Sequence, residues 1–149
     1  MSRIRIIGGD WRSRLIDVST VKGLRPTPDR VRETLFNWLG QDLDGKICLD
    51  LFAGSGALGF EAISRGAESA VFCDHDKRAM AVIRQNAALL RVIDQCVFLQ
   101  MDWRQALARL ASSGRRFGLI FLDPPYAADL APVLAEIRAR GILQPGGIL

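Results

Sequence analysis

Four apolar runs, each meeting an aspartate at its end, set the rhythm of this chain: residues 49–52 around Asp50, 70–73 before Asp74, 97–101 before Asp102 and 119–122 before Asp123. Runs of this length bounded by polar and turn-forming residues predict buried strands. Between them, apolar positions recur at helical spacing. Residues 57–64 lead to Gly66, residues 77–90 carry Ala79, Val82, Ile83 and Leu90 on one face, and residues 103–111 carry Leu107 and Leu110. Strand, loop and helix in repetition predict an α/β fold with a mostly parallel sheet. Parallel strands joined by right-handed crossovers put their carboxyl ends on one edge, where ligands of open α/β sheets bind. Four carboxylates then face one crevice. A reversal of strand order after the third unit would make the first and fourth strands neighbours.

Two further helices frame this core. Ahead of it, Thr27 can cap, Pro28 suits the first position, Asp29 favours the positive end of the dipole, and Val31, Leu35, Trp38 and Leu39 repeat until Gly40. This helix is expected to pack on the sheet with Phe36 and Trp38 in the core. After the core, residues 130–140 predict a helix that passes through Gly141 to Pro145, Gly146 and Gly147, where a fifth strand begins as the chain stops.

The first strand opens into Ala53-Gly54-Ser55-Gly56-Ala57-Leu58-Gly59. Glycines at this spacing let the backbone approach a ligand, and dinucleotide enzymes use the same pattern with an acidic residue about twenty positions on, where Asp74 stands. Asp50, four residues before Gly54, favours a different ligand. Its carboxylate could balance the ammonium of an amino-acid-bearing cofactor such as S-adenosylmethionine, and it would repel a pyrophosphate. A tight strand-to-helix turn with no ligand is the third reading. Asp74 is placed to accept from ribose hydroxyls. Asp102 can accept from an adenine N6 amine or, equally well, cap the helix behind it. His75, the only histidine, or Trp103 could cover an adenine face, although a histidine here also reads as a solvated loop residue.

The fourth strand runs into Asp123-Pro124-Pro125-Tyr126. Asp123 and the Pro124 carbonyl are acceptors, the two prolines fix the chain and remove competing N–H donors, and Tyr126 offers a ring for stacking. Such a set suits an exocyclic amine on a nucleobase, since two acceptors can draw its protons out of plane and aim its lone pair at an electrophile. A plain turn is the other reading.

Charge is lopsided. Residues 1–32 hold eight Lys/Arg against three acids, a net +5, whereas residues 33–149 hold twelve against thirteen, a net −1. Arg3, Arg5, Arg12, Arg14, Lys22 and Arg25, with Trp11 among them for stacking, read as an RNA-binding arm, with a small hairpin around Gly8 and Gly9. A solvated basic arm is the alternative, and no apolar face accompanies the charges to suit a membrane. Cys48, Cys73 and Cys96 are odd in number and widely spaced, which favours reduced thiols over disulfides or a metal site. No metal motif, signal-peptide pattern or membrane-length apolar run is present in the sequence, so a cytoplasmic enzyme is expected.

Several segments, in order and nearly without gaps, resemble the RsmD family of bacterial ribosomal RNA methyltransferases. They are Ile6-Ile7-Gly8-Gly9-Asp10-Trp11-Arg12, residues 24–39 beginning Leu24-Arg25-Pro26-Thr27-Pro28, residues 49–59, and the Asp123 to Tyr126 tetrapeptide. The resemblance implies a Rossmann-like class I methyltransferase fold over residues 27–149 and a basic hairpin over residues 1–26. It further implies methyl transfer from S-adenosylmethionine to guanine N2 of 16S ribosomal RNA, with S-adenosylhomocysteine as product and no metal. Asp50, Ala53, Gly54, Gly56, Asp74, His75, Asp102 and Thr27 would then border the cofactor, and Asp123, Pro124 and Tyr126 the amine. The partner would be ribosomal RNA or a small-subunit ribonucleoprotein. Asp-Pro-Pro-Tyr also occurs in enzymes acting on adenine N6 or cytosine N4 of DNA or other RNA, so guanine N2 rests on the amino-terminal segments. Family members continue past the fifth strand, so a truncated chain with an open sheet edge, prone to self-association, is expected. A non-catalytic RNA-binding module and an NAD-dependent oxidoreductase remain alternatives.

Overall fold

A computed structural model of the 149-residue chain describes residues 2–9, 15–18, 29–39, 43–122 and 129–148. At the amino terminus, β1 (Ser2–Arg5) and β2 (Leu15–Val18) pair antiparallel, with Arg3 opposite Asp17 and Arg5 opposite Leu15. This is the expected hairpin, and Gly8 and Gly9 fall in its connection. Helix α1 (Asp29–Leu39) follows.

The alternating units are β3 (Ile47–Asp50), α2 (Ala57–Ser64), β4 (Ser69–Cys73), α3 (Lys77–Leu89), β5 (Cys96–Leu99), α4 (Trp103–Ser112), β6 (Phe117–Phe121), α5 (Ala131–Arg140) and β7 (Leu143–Ile148). They build one five-stranded sheet in the order β5-β4-β3-β6-β7, with every pairing parallel. The order reverses after the third unit, so β3 and β6 are neighbours. The expected fifth strand is β7, which pairs with β6 through a register irregularity between Phe117 and Leu119.

Period-two alternation sends successive strand residues to opposite layers. Cys48, Ala70 and Phe72 join Phe36, Phe60, Met80 and Ile83 in one cluster. Leu49, Val71 and Cys73 join Leu107, Leu110, Val133 and Ile137 in the other. Helix ends follow local chemistry: the Asp76 carboxylate accepts from the Arg78 and Ala79 amides at 2.8 and 3.0 Å, and Gly141 closes α5 at φ 61°.

Helix α1 departs from expectation in its face. Phe36 is fully buried as predicted, but Trp38 is 85% exposed and Val31 52% exposed. The buried seam runs through Arg32 and Phe36 instead, because the domain offers that helix the Phe121 ring, 5.7 Å from Phe36, and the Arg65 guanidinium, 4.9 Å from the same ring. Arg32, one of the eight basic residues of the amino-terminal segment, is 1% exposed and belongs to the packing, not to a solvent-facing patch. The three cysteines are free thiols. Burial pushes Cys48, Cys73 and Cys96 each up to about 12, helped at Cys48 by Asp50 and at Cys73 by Asp74, Asp50 and Asp102.

Candidate active site at the carboxyl edge of the sheet

Asp50 closes β3 and lies under the glycine loop. It is 1% exposed, and its Oδ2 accepts from the Gly59 amide at 3.1 Å, which ties the strand end to the third residue of α2. Above it the chain turns sharply. Gly54 and Gly56 sit at φ 56° and 82°, a left-handed backbone that disfavours any side chain. Gly59 serves packing instead, since a Cβ there would stand 2.3 Å from the Phe72 ring. Gly56 is the N-cap of α2, and the first-turn amides of Ala57 and Gly59 donate to Ser55 Oγ at 3.3 Å and Asp50 Oδ2 at 3.1 Å.

Asp74 stands at the end of β4. One carboxylate oxygen accepts from the Gly54 amide at 2.9 Å and the other from the Asp76 amide at 2.9 Å. The aspartate is half-buried, while the His75 side chain beside it is 78% exposed, with Nδ1 3.9 Å from the same carboxylate. Ala53 bridges the same two strands through its amide, which donates to the Cys73 carbonyl at 2.9 Å. Asp102 follows β5 and caps α4, accepting from the Gln105 amide at 2.9 Å. Of its two expected roles, the cap is the one displayed. Trp103 packs partly on the second core cluster, with the Arg104 guanidinium 4.7 Å from the centre of its ring.

The strand ends are stitched together across the edge. The Leu51 amide donates to the Phe121 carbonyl at 3.3 Å, three residues before Gly54 on one strand and two before Asp123 on the other. Asp50, Ala53, Gly54, Gly56 and Asp74 therefore meet at one place, with His75 at its rim and Asp102 one strand further along. The chemistry available there is the Asp74 carboxylate, able to accept from hydroxyl donors, beside a loop that carries no side chain at Gly54 and Gly56. Asp123, Pro124, Tyr126, Thr27, Trp11, Arg12, Arg14, Lys22 and Arg25 lie outside the described residues, and Arg3 and Arg5 sit on β1.

One cluster escaped the sequence reading. Glu61, 1% exposed on α2, accepts from the Ile7 amide at 2.7 Å, the Gly8 amide at 2.9 Å and Arg65 Nε at 3.0 Å. Ser64 Oγ donates to the Gly8 carbonyl at 2.6 Å. The available signal was a Glu and an Arg four apart in a helix whose other residues are almost all apolar or small.

The family model described as conserved hypothetical protein 95 matches residues 4–149. The chain is 44% identical over 128 residues to ribosomal RNA small subunit methyltransferase D of Escherichia coli, a match that covers 86% of this chain and 63% of the relative. To the protein of the same name in Haemophilus influenzae it is 41% identical over 147 residues, 98% of this chain and 76% of the relative. Among solved structures, a Thermus thermophilus protein described as hypothetical superimposes with a TM-score of 0.81 at 33% identity, covering 97% of this chain and 82% of that one. The architecture is that of the class I S-adenosylmethionine-dependent methyltransferases.

Proposed function

We propose that this chain, which belongs to the RsmD family described as conserved hypothetical protein 95, transfers a methyl group from S-adenosylmethionine to an exocyclic base amine of small-subunit ribosomal RNA, with guanine N2 as acceptor. The observation that carries this reading is the Leu51 to Phe121 hydrogen bond between β3 and β6. Through it, the glycine loop and the Asp123 tetrapeptide leave adjacent strands at one edge of the sheet. The names of the relatives support methylation of small-subunit ribosomal RNA; the choice of guanine N2 rests on the amino-terminal resemblance.

The residues present fit the proposed cofactor. Gly54 and Gly56 carry no side chain to obstruct a ligand at the turn, and Asp74 offers acceptors to a ribose. A buried carboxylate under the loop, Asp50, disfavours a pyrophosphate and hence a dinucleotide. When bound, S-adenosylmethionine supplies an electrophilic methyl group on a sulfonium. The chain's own part is orientation: Asp123 and the Pro124 carbonyl accept from the target amine, Tyr126 stacks on its base, and the amine's lone pair is aimed along the line of displacement. After transfer, the methylated amine is acidic and releases its proton to Asp123 or water.

Calorimetry with S-adenosylmethionine and, separately, NAD tests the cofactor; binding of NAD alone would reject the reading. Transfer of a labelled methyl group to unmodified small-subunit RNA and to assembled subunits, followed by mass-spectrometric mapping of the base, tests the substrate. Asp123→Ala is expected to abolish transfer while leaving cofactor affinity within about twofold, since one hydrogen-bonded acceptor of the amine is lost and no cofactor contact. Retained turnover would remove Asp123 from the role of holding the amine.

A further inference from the structure

We infer that Glu61 is a positioning residue that locks the basic hairpin to the helix carrying the glycine loop, so that RNA gripped by the arm is presented in register with the methyl donor. The inference rests on the function proposed above and goes on to name how its two halves are aligned.

Three donors converge on one buried carboxylate. Only one of them, Nε of Arg65 at 3.0 Å, is local, from the residue that caps the end of the same helix. The other two are consecutive backbone amides of the arm, Ile7 to Oε1 and Gly8 to Oε2. A carboxylate kept only to neutralise Arg65 would have no need of them, and buried charged acceptors persist only where their lone pairs are filled. Both sides of the joint are shaped for contact. A Cβ on Gly9, at φ +75°, would stand 1.9 Å from the Ser64 carbonyl oxygen, and one on Gly8 would stand 2.8 Å from Arg65 Nη2. Ile6, just before, is buried in the core cluster shared with α2.

What Glu61 holds is then carried to the site by a short rigid element. All eight residues of α2 are buried, and the helix spans about 12 Å at 1.5 Å per residue. Its N-cap is Gly56, and its third residue, Gly59, is pinned to Asp50. A displacement at the Ile7–Gly8 end cannot be absorbed by the helix. The arm and the loop therefore form one body, and a substrate held at both gains from fixed geometry between them.

The test uses the full chain with unmodified small-subunit RNA. Glu61→Gln keeps the shape but presents an NH2 group and a single oxygen to two amide donors, so one of Ile7 and Gly8 loses its acceptor. The expected result is a rise of about tenfold in the RNA KM and in the directly measured RNA dissociation constant, with the S-adenosylmethionine dissociation constant within about twofold of wild type. Gly9→Ala attacks the joint from the arm's side without changing any residue of α2; it should give the same split and decides the matter if Glu61→Gln does not fold. Unchanged RNA affinity in both variants would overturn the inference, as would equal losses of RNA and cofactor affinity, the mark of packing alone. If wild type transfers no methyl group to this RNA, the proposed function fails, while the direct RNA-binding comparison still judges the joint.

Discussion

The ends of β4 and β5 present the same letters to the reader, an aspartate between strand and helix, yet the two carboxylates are employed differently. At β5, Asp102 itself caps the following helix and is committed to the Gln105 amide. At β4, a second aspartate two residues on, Asp76, caps α3. Asp74 is thereby released to reach across the edge to Gly54, beside the proposed cofactor site. The lesson is that a strand-end carboxylate becomes available to a ligand when another residue has taken over the cap.

The sharpest way to break this comparison is Asp74→Ala. Two amides, of Gly54 and Asp76, lose their acceptor, and a destabilisation of about 2 kcal/mol is expected by urea denaturation. S-adenosylmethionine affinity should fall at least about tenfold by calorimetry, corresponding to one lost charge-assisted hydrogen bond. Wild-type affinity would show that Asp74 only braces the loop.

Alkaline stability comes next, through Cys73, whose thiol is held up to about 12 by burial and then by Asp74, Asp50 and Asp102. Above its ordinary value of 9.0 the unfolded chain loses this proton while the folded one retains it, so stability falls as pH rises from about 9 to 12. The slope from a single thiol is at most about 1.4 kcal/mol per pH unit. Denaturation midpoints measured across that window should decline less steeply in Cys73→Ser.

A smaller effect separates the two duties suggested for Asp102. Asp102→Ala should cost about 1 kcal/mol as a lost cap, whereas Asp102→Ser should recover most of it. If Asp102→Ser keeps both melting temperature and cofactor affinity, the cap is the whole role; full stability with weakened cofactor binding would extend the ligand site to β5 and undo the contrast drawn above. The smallest effect belongs to His75. Because its ring is 78% exposed and 3.9 Å from Asp74, His75→Ala should change stability by less than about 0.5 kcal/mol in a thermal melt.

Much of the fold is legible because it is written in runs. Each strand is a short apolar stretch, each helix a repeat of three to four, and residues 57–64 read as the helix that α2 proves to be. The reversal between β5 and β6 follows from the α/β pattern as one of a few arrangements, and pairing of β3 with β6 is conditional on it. Helix α1 shows where pattern fails. Its apolar letters include Val31 and Trp38, but the burial seam is chosen by what waits against it, Phe121 on β6 and Arg65 at the end of α2, and it takes in Arg32. In the candidate site, the glycines and Asp74 are legible as chemistry. The partner of Asp50 is not, because a carboxylate meets the Gly59 amide only after the loop has turned. Nor is the grip of Glu61 on Ile7 and Gly8, since 54 and 53 residues separate the partners and neither motif contains both.

That α2 is enclosed on every side has a practical use in deuterium exchange. Its amides should exchange only when the whole domain opens, so their protection measures global stability. Exchange in the loop from Ala53 to Gly56, beside the proposed cofactor site, should slow on adding a ligand. Within one short peptide the molecule thus carries an occupancy signal next to its own internal standard.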